Sequence, residues 1–334
     1  MMLHPGILAL LAGTGAVFLL ALYGLCLGLN ILARWDLRSS SEEQLRLERK
    51  TWLVSSLVGV ALAFESASGL LFVQTADDIH PLFVGAMCAT GVLNVHPAGW
   101  QALGAKIAVF FAASLWVALN RLDRRAEDFP LVRLKYALLL PLTVLIGLDL
   151  WFQARFFIAL EPDVITSCCG SLFSEAGTGV AAGLAALPVG PTMTAFYLSA
   201  ALFLGAGLLS LRFPAGAPRY LLSALSVLTF FVSLAAIVSF ISLYIYELPT
   251  HHCPFDIFQA DYHYLGYPFY GFLFGGVLFG LLPGLFHPLQ RISSLRPGLI
   301  RAERTWLRLA LGLMTGFLVL ASWPVVFGEF TLAY

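Results

Sequence analysis

The stretch ILALLAGTGAVFLLALYGLCLGLNILA, residues 7–33, decides the fold because it contains no charged side chain over its whole length. A helix of about 20 apolar residues crosses the roughly 30 Å hydrocarbon core of a membrane. Glycine is tolerated within such a segment, because in lipid the backbone must satisfy its own hydrogen bonds as a helix. The stretch therefore predicts a transmembrane helix.

The rest of the chain repeats this pattern. Hydrophobic residues make up 59% of the 334 residues and charged residues only 11%, whereas soluble domains carry about 25% charged residues. We therefore predict an all-α, polytopic membrane bundle of about eight helices that forms one transmembrane domain over residues 1–334. The predicted spans are residues 7–33, 51–73, 100–120, 136–160, 191–211, 220–244, 266–286 and 306–327.

The basic residues indicate the orientation. All of the 19 lysines and arginines except Lys106 and Arg155 fall in segments 34–50, 121–135, 212–219 and 287–308, which alternate with the other loops. Loops rich in lysine and arginine remain in the cytoplasm. We therefore expect a protein of the bacterial cytoplasmic (inner) membrane with both termini on the non-cytoplasmic side.

The loops differ in character between the two sides. Residues 74–99, 161–190 and 245–265 are long, semi-apolar and rich in glycine and proline, which favours structured periplasmic loops of short helices and turns. In the basic loop 34–50, Ser41 is followed by Glu43 and Gln44, as in a helix N-cap.

Cysteine and histidine are segregated by side. Every cysteine except Cys26 falls in the predicted outer loops, and every histidine except His287 falls on the same side of the membrane. The candidate catalytic or binding residues are therefore the outer cysteines and the histidines next to one of them: Cys88, Cys168, Cys169, Cys253, His251 and His252.

Three interpretations of these residues remain open. In the first, Cys88 and Cys253 each form a structural disulfide bond with one of Cys168 and Cys169, because the bacterial periplasm is oxidising.

In the second interpretation, the outer loops form a thiophilic metal site. Thiolate and imidazole ligands suit Zn or Cu, and His251-His252-Cys253 and Cys168-Cys169 each offer adjacent ligands. The cofactor would then be a Zn or Cu ion.

The third interpretation is thiol–disulfide exchange. The segment Cys253-Pro254-Phe255-Asp256 has the form of a Cys-x-x-Cys element with aspartate at the second cysteine. A neighbouring imidazolium would favour the thiolate, which is the reactive form. A periplasmic redox or metal-carrier protein is the expected partner for either the second or the third interpretation.

The spans also contain ionisable residues. Glu65 and Asp149 each lie about 20 Å from the cytoplasmic end of their spans, which are the second and the fourth. Lys106 lies about 9 Å below the outer end of the third span. These heights coincide, and charges in lipid normally pair. We expect Lys106 to bridge Glu65 and Asp149, with Arg155 nearer the outer interface, either as a structural ion pair or as a proton or cation relay.

Other classes of function lack their motifs. The sequence has no Cys-x-x-Cys-His haem attachment motif, no glycine-rich nucleotide-binding loop and no basic patch for nucleic acid. Two functions remain: thiol-redox or soft-metal handling at the outer face, or a transporter or membrane anchor subunit whose cysteines form structural disulfides. Whether the chain is an enzyme stays open.

Overall fold

The computed structural model describes residues 1–35, 41–126, 128–161, 180–213 and 216–332. Of the residues in these ranges, 83% are helical and none lies in a strand. Eight helices of the described chain are long and apolar enough to cross a membrane. The prediction of an all-α chain with about eight helices able to span a membrane is therefore confirmed.

Eleven α-helices are formed by the described residues. They are α1 (Pro5–Arg34), α2 (Glu42–Asp78), α3 (Ala89–Asn94), α4 (Ala98–Asp123), α5 (Val132–Ile158), α6 (Val180–Ala185), α7 (Val189–Arg212), α8 (Gly216–Ala236), α9 (Ser242–Tyr246), α10 (Gly266–Phe286) and α11 (Arg296–Phe327). A π-helical turn, Ile237–Ile241, joins α8 to α9. The candidate spans are α1, α2, α4, α5, α7, α8 with α9, α10 and α11.

Most of the candidate spans are longer than predicted, most clearly α2, whereas α10 has the predicted bounds and α5 ends at Ile158, two residues early. The hydroxyl of Ser41 accepts a hydrogen bond from the backbone N–H of Gln44 at 3.3 Å, so the predicted N-cap is confirmed. Glu42 and Arg46 form an exposed ion pair one turn apart at 2.6 Å. Because nothing interrupts the helix after this cap, α2 begins nine residues before the predicted span at residue 51.

The described chain divides into two compact units. The first unit comprises Met1–Ile79, Val92–Val164 and Arg291–Leu299. Within it α1, α2, α4 and α5 pack together around a core that includes Val58, Trp116 and Tyr136. The indole N–H of Trp116 donates to the backbone carbonyl of Lys135 at 2.7 Å.

The second unit comprises His80–Gly91, Ile165–Gln290 and Ile300–Tyr334. Within it α8 packs against both α7 and α10, and Phe196 makes edge contacts with Phe240 and Phe317. The segment His80–Gly91 follows α2 and ends within α3. The second unit therefore brings together loop residues that are distant in the sequence.

Because α10 packs closely against α8, a larger side chain at their contact should lower the stability of the protein. A Cβ atom at Gly284 would lie 2.7 Å from the backbone carbonyl oxygen of Arg219, whereas a Cβ at Gly271 of the same helix meets open space. We expect Gly284→Ala to lower the free energy of unfolding by about 1–3 kcal/mol through overpacking. Gly271→Ala is the matched control, and equal thermal stability of the two variants in detergent would contradict this packing.

Candidate metal centre

Two loops of the second unit bring together two cysteines and an aspartate. Cys88 immediately precedes α3, while Cys253 and Asp256 follow α9, and Asp256 opens a 3-10 turn that ends at Phe258. The Sγ atoms of Cys88 and Cys253 lie 3.4 Å apart, and Cys253 Sγ donates to Asp256 Oδ1 at 3.3 Å. One ligand atom from each residue falls within 4.8 Å of the other two.

This cluster is enclosed. The two cysteines have no exposed surface and Asp256 is 7% exposed. The hydroxyl of Thr90 lies 3.2 Å from Cys253 Sγ, and the backbone N–H of Phe255 donates to the same sulfur at 3.5 Å. The sulfur of Cys253 is therefore held by several polar neighbours in a buried environment.

Two tyrosine hydroxyls fix the loop that carries Cys253. Tyr246 donates to the carbonyl of Cys253 at 2.8 Å and accepts from the N–H of Ile257 at 3.0 Å. Tyr270 of α10 donates to the carbonyl of Pro254 at 2.7 Å. Because these side chains come from α9 and α10, the helical core sets the position of the loop.

The carboxylate of Asp256 is kept ionised by its surroundings. Burial alone raises the pKa of Asp256, but hydrogen bonds from His251, Cys88 and Cys253 outweigh burial. The pKa of this carboxyl is therefore held below its usual value of about 3.9, and at neutral pH the group accepts hydrogen bonds or binds a cation.

The two adjacent histidines do not join the ligand group. His251 Nε2 contacts Asp256 Oδ2, and the Nδ1 atom of His252 lies 2.7 Å from the carbonyl oxygen of Val238. Val238 belongs to the π-helical turn, where the usual backbone pairing of the α-helix is interrupted. His252 thus satisfies a backbone carbonyl, while His251 orients the carboxylate of Asp256.

The disulfide prediction is not confirmed. The sulfur atoms of Cys88 and Cys253 are 3.4 Å apart, which exceeds the S–S bond length of about 2.05 Å. Cys168 and Cys169 lie outside the described residues, whereas Cys26 is exposed on α1.

The sequence predicted Cys88 and Cys253 as candidate metal ligands, but not Asp256. Asp256 occupies the position of the second cysteine in a Cys-x-x-Cys element, and its carboxylate reaches Cys253 across a tight turn. The sequence could not give the distance between Cys88 and Cys253, because 165 positions separate them.

No protein-family model, curated protein or solved structure matches this chain. What the site binds therefore follows from its own ligands, charges and distances.

The ionisable residues of the spans form a separate cluster in the first unit. Lys106 Nζ lies 2.6 Å from Glu65 Oε1 and 2.9 Å from Asp149 Oδ2. The distances agree with the bridge expected from the heights of these residues in their spans. Arg155, by contrast, is an exposed residue in the last turn of α5.

Proposed function

We propose that this chain is a multi-pass membrane protein that binds a thiophilic metal ion, Zn²⁺, at Cys88, Cys253 and Asp256. The observation that carries the proposal is the burial of two thiols and an ionised carboxylate whose ligand atoms all lie within 4.8 Å of one another. Each of these groups is an established type of zinc ligand.

The spacing of the sulfur atoms supports this choice of ion. Two thiolates at about 2.3 Å from a tetrahedral Zn²⁺ are separated by roughly 3.8 Å. The observed separation of 3.4 Å reaches this value through a small outward movement of either side chain. The carboxylate ligand favours Zn²⁺ over Cu⁺, because Cu⁺ prefers sulfur ligands.

Charge also favours a cation. Binding requires both thiols to lose their protons, which places two thiolates beside the Asp256 carboxylate in a buried site. Like charges at this distance are unfavourable without a compensating ion. Zn²⁺ neutralises two of the three negative charges, and His251 orients the carboxylate through its contact with Asp256 Oδ2.

The proposal includes a location and a partner. The site lies at the non-cytoplasmic face of a bacterial inner membrane, within a single transmembrane domain whose termini share that face. The segregation of basic residues to the opposite loops supports this orientation. Three protein ligands leave one position on the metal open, and a periplasmic metal carrier could exchange the ion through that position.

Metal analysis of the purified full chain tests the proposal. After exposure to Zn²⁺ and removal of excess ion, the wild type should retain one zinc per chain. A Cys88→Ser/Cys253→Ser double variant should retain none, and the exposed-cysteine control Cys26→Ser should match the wild type. Zinc that persists in the double variant would contradict the proposed ligands.

The pH dependence of binding follows from the hydrogen bond of His251 to Asp256. Loss of this hydrogen bond removes one of the interactions that oppose burial, so the pKa of Asp256 rises and its carboxylate competes less well for the ion at low pH. We expect His251→Asn to move the acid limb of Zn²⁺ binding to higher pH, as measured by a binding titration from neutral pH downwards.

The control for this titration is His263→Asn. His263 is exposed and has a left-handed backbone conformation that asparagine tolerates. Identical binding curves for His251→Asn and the wild type would show that His251 does not act on the Asp256 ligand.

A second candidate function rests on the same short sulfur–sulfur distance. The Cys88 and Cys253 thiols could transfer two electrons and two protons to a protein disulfide, which becomes a dithiol as Cys88–Cys253 closes. The neighbouring carboxylate disfavours the thiolate that such exchange requires. Alkylation of both thiols in denatured, air-exposed protein would argue against this function, whereas a Cys88–Cys253 linked peptide would support it.

A further inference from the structure

The buried polar cluster of the first unit carries an imbalance of charge. Glu65, Lys106 and Asp149 are each at most 2% exposed, and one ammonium faces two carboxylates. The charged side chains that act on Asp149 are Lys106 and Glu65. With every group ionised, the cluster has one uncompensated negative charge, which is costly in a membrane interior.

The hydrogen bonds distinguish the two carboxylates. Oε1 of Glu65 accepts from Thr14 at 3.1 Å, from Ser68 at 2.8 Å and from Lys106 at 2.6 Å. These contacts make Glu65 Oε1 the more fully hydrogen-bonded partner of Lys106, whereas Glu65 Oε2 has no hydrogen-bond partner among the described residues.

Asp149 has a different environment. Its Oδ2 is paired with Lys106, but Oδ1 has no hydrogen-bond donor among the described residues. The side-chain amide of Gln153 faces this carboxyl from one helical turn further along α5, and Gln153 Oε1 also lacks a donor in the described chain. Both side chains are completely buried.

We propose that Asp149 is the carboxyl group of this cluster that takes up and releases a proton, so that the cluster is a proton-binding site within the membrane-spanning part of the first unit. One added proton balances the cluster, since the remaining ions are Lys106 and Glu65. It also supplies a hydroxyl donor where Asp149 Oδ1 and Gln153 Oε1 have none. A metal cation fits less well, because the Lys106 ammonium already occupies the space between the carboxylates.

The helices packed around the cluster contribute no further ionisable side chain to it within the described residues. The groups that face it are Thr14 of α1, Glu65 and Ser68 of α2, Lys106 of α4, and Asp149 and Gln153 of α5. The proposal does not depend on the metal centre, which belongs to the second unit.

Dicyclohexylcarbodiimide tests the proposal, because carbodiimides add to a carboxyl group in its protonated form. The purified full chain is treated at a series of pH values, and labelled peptides are located by mass spectrometry. We expect labelling at Asp149, with a rate that falls about tenfold per pH unit once the carboxyl is mostly ionised. Asp149→Asn should remove the label.

Asp123 is the matched control in the same unit. It is equally buried, but it is paired one to one with Lys135 at 2.7 Å and accepts the N–H of Leu131 at 2.8 Å. Asp123 should therefore remain unlabelled, as should Glu65. An unlabelled Asp149, a label of similar yield on Asp123, or suppression of the Asp149 label by Na⁺ at constant pH would each overturn the proposal.

Discussion

Cys253→Ser is expected to lower the affinity of the chain for Zn²⁺ by more than about 100-fold, beyond the loss typical for residues outside the ligand shell. Cys253 is the centre of the site, since its sulfur contacts Cys88, Thr90 and Asp256 at 3.2–3.4 Å. A serine hydroxyl is a poor zinc ligand, so the Cys253→Ser site keeps only the Cys88 thiolate. Competition with a chelator of known affinity measures the change.

Two variants calibrate this result. Cys26→Ser removes a thiol that is exposed on α1 and should leave Zn²⁺ affinity unchanged. Thr90→Val removes only a hydrogen bond to the sulfur and should cost about tenfold, as for an outer-shell partner. Equal affinities for Cys253→Ser and Cys26→Ser would be incompatible with the proposed centre.

Lys106→Met is expected to produce the largest loss of stability. It leaves Glu65 and Asp149 buried with no cation, and breaking a buried ion pair by removal of one partner costs about 3–5 kcal/mol. Thermal or detergent-induced unfolding of the purified chain measures the effect. Lys50→Met, at an exposed lysine, is the control and should change stability by less than about 0.5 kcal/mol.

A charge-neutral variant separates charge from packing. Glu65→Gln/Lys106→Met/Asp149→Asn removes all three ionisable groups, so it should recover much of the stability that Lys106→Met loses. A Lys106→Met protein as stable as the wild type would contradict the ion-pair geometry. If the triple variant is no more stable than Lys106→Met, the loss of stability results from the changed shape of the side chain at position 106 and not from unpaired charge.

The sequence predicted those features that depend on the regular geometry of a helix. Long apolar stretches with few charges specified the spans, because a helix needs about 20 apolar residues to cross the lipid. The fixed rise per residue also put Glu65, Lys106 and Asp149 at one height, and they are in contact in the structure. The ends of the spans were less predictable, because the cap at Ser41 allows α2 to continue through polar residues.

The metal centre could be predicted only in part. The segregation of cysteine and histidine drew attention to Cys88, Cys253 and their neighbours, but loops have no fixed rise that would give the distance between them. The roles of the neighbours depended on details of the fold. The π-helical turn accounts for the contact of His252 with Val238, and the bend at Pro254 and Phe255 brings Asp256 to Cys253.

X-ray absorption at the zinc edge of the zinc-loaded full chain tests the central claim most directly, because it counts the sulfur ligands. The proposed site predicts two sulfur atoms at about 2.3 Å and oxygen or nitrogen ligands at about 2.0–2.2 Å. The spectrum should be unchanged in Cys168→Ser/Cys169→Ser. A shell of four sulfur atoms, or one without sulfur, would contradict a centre formed by Cys88, Cys253 and Asp256.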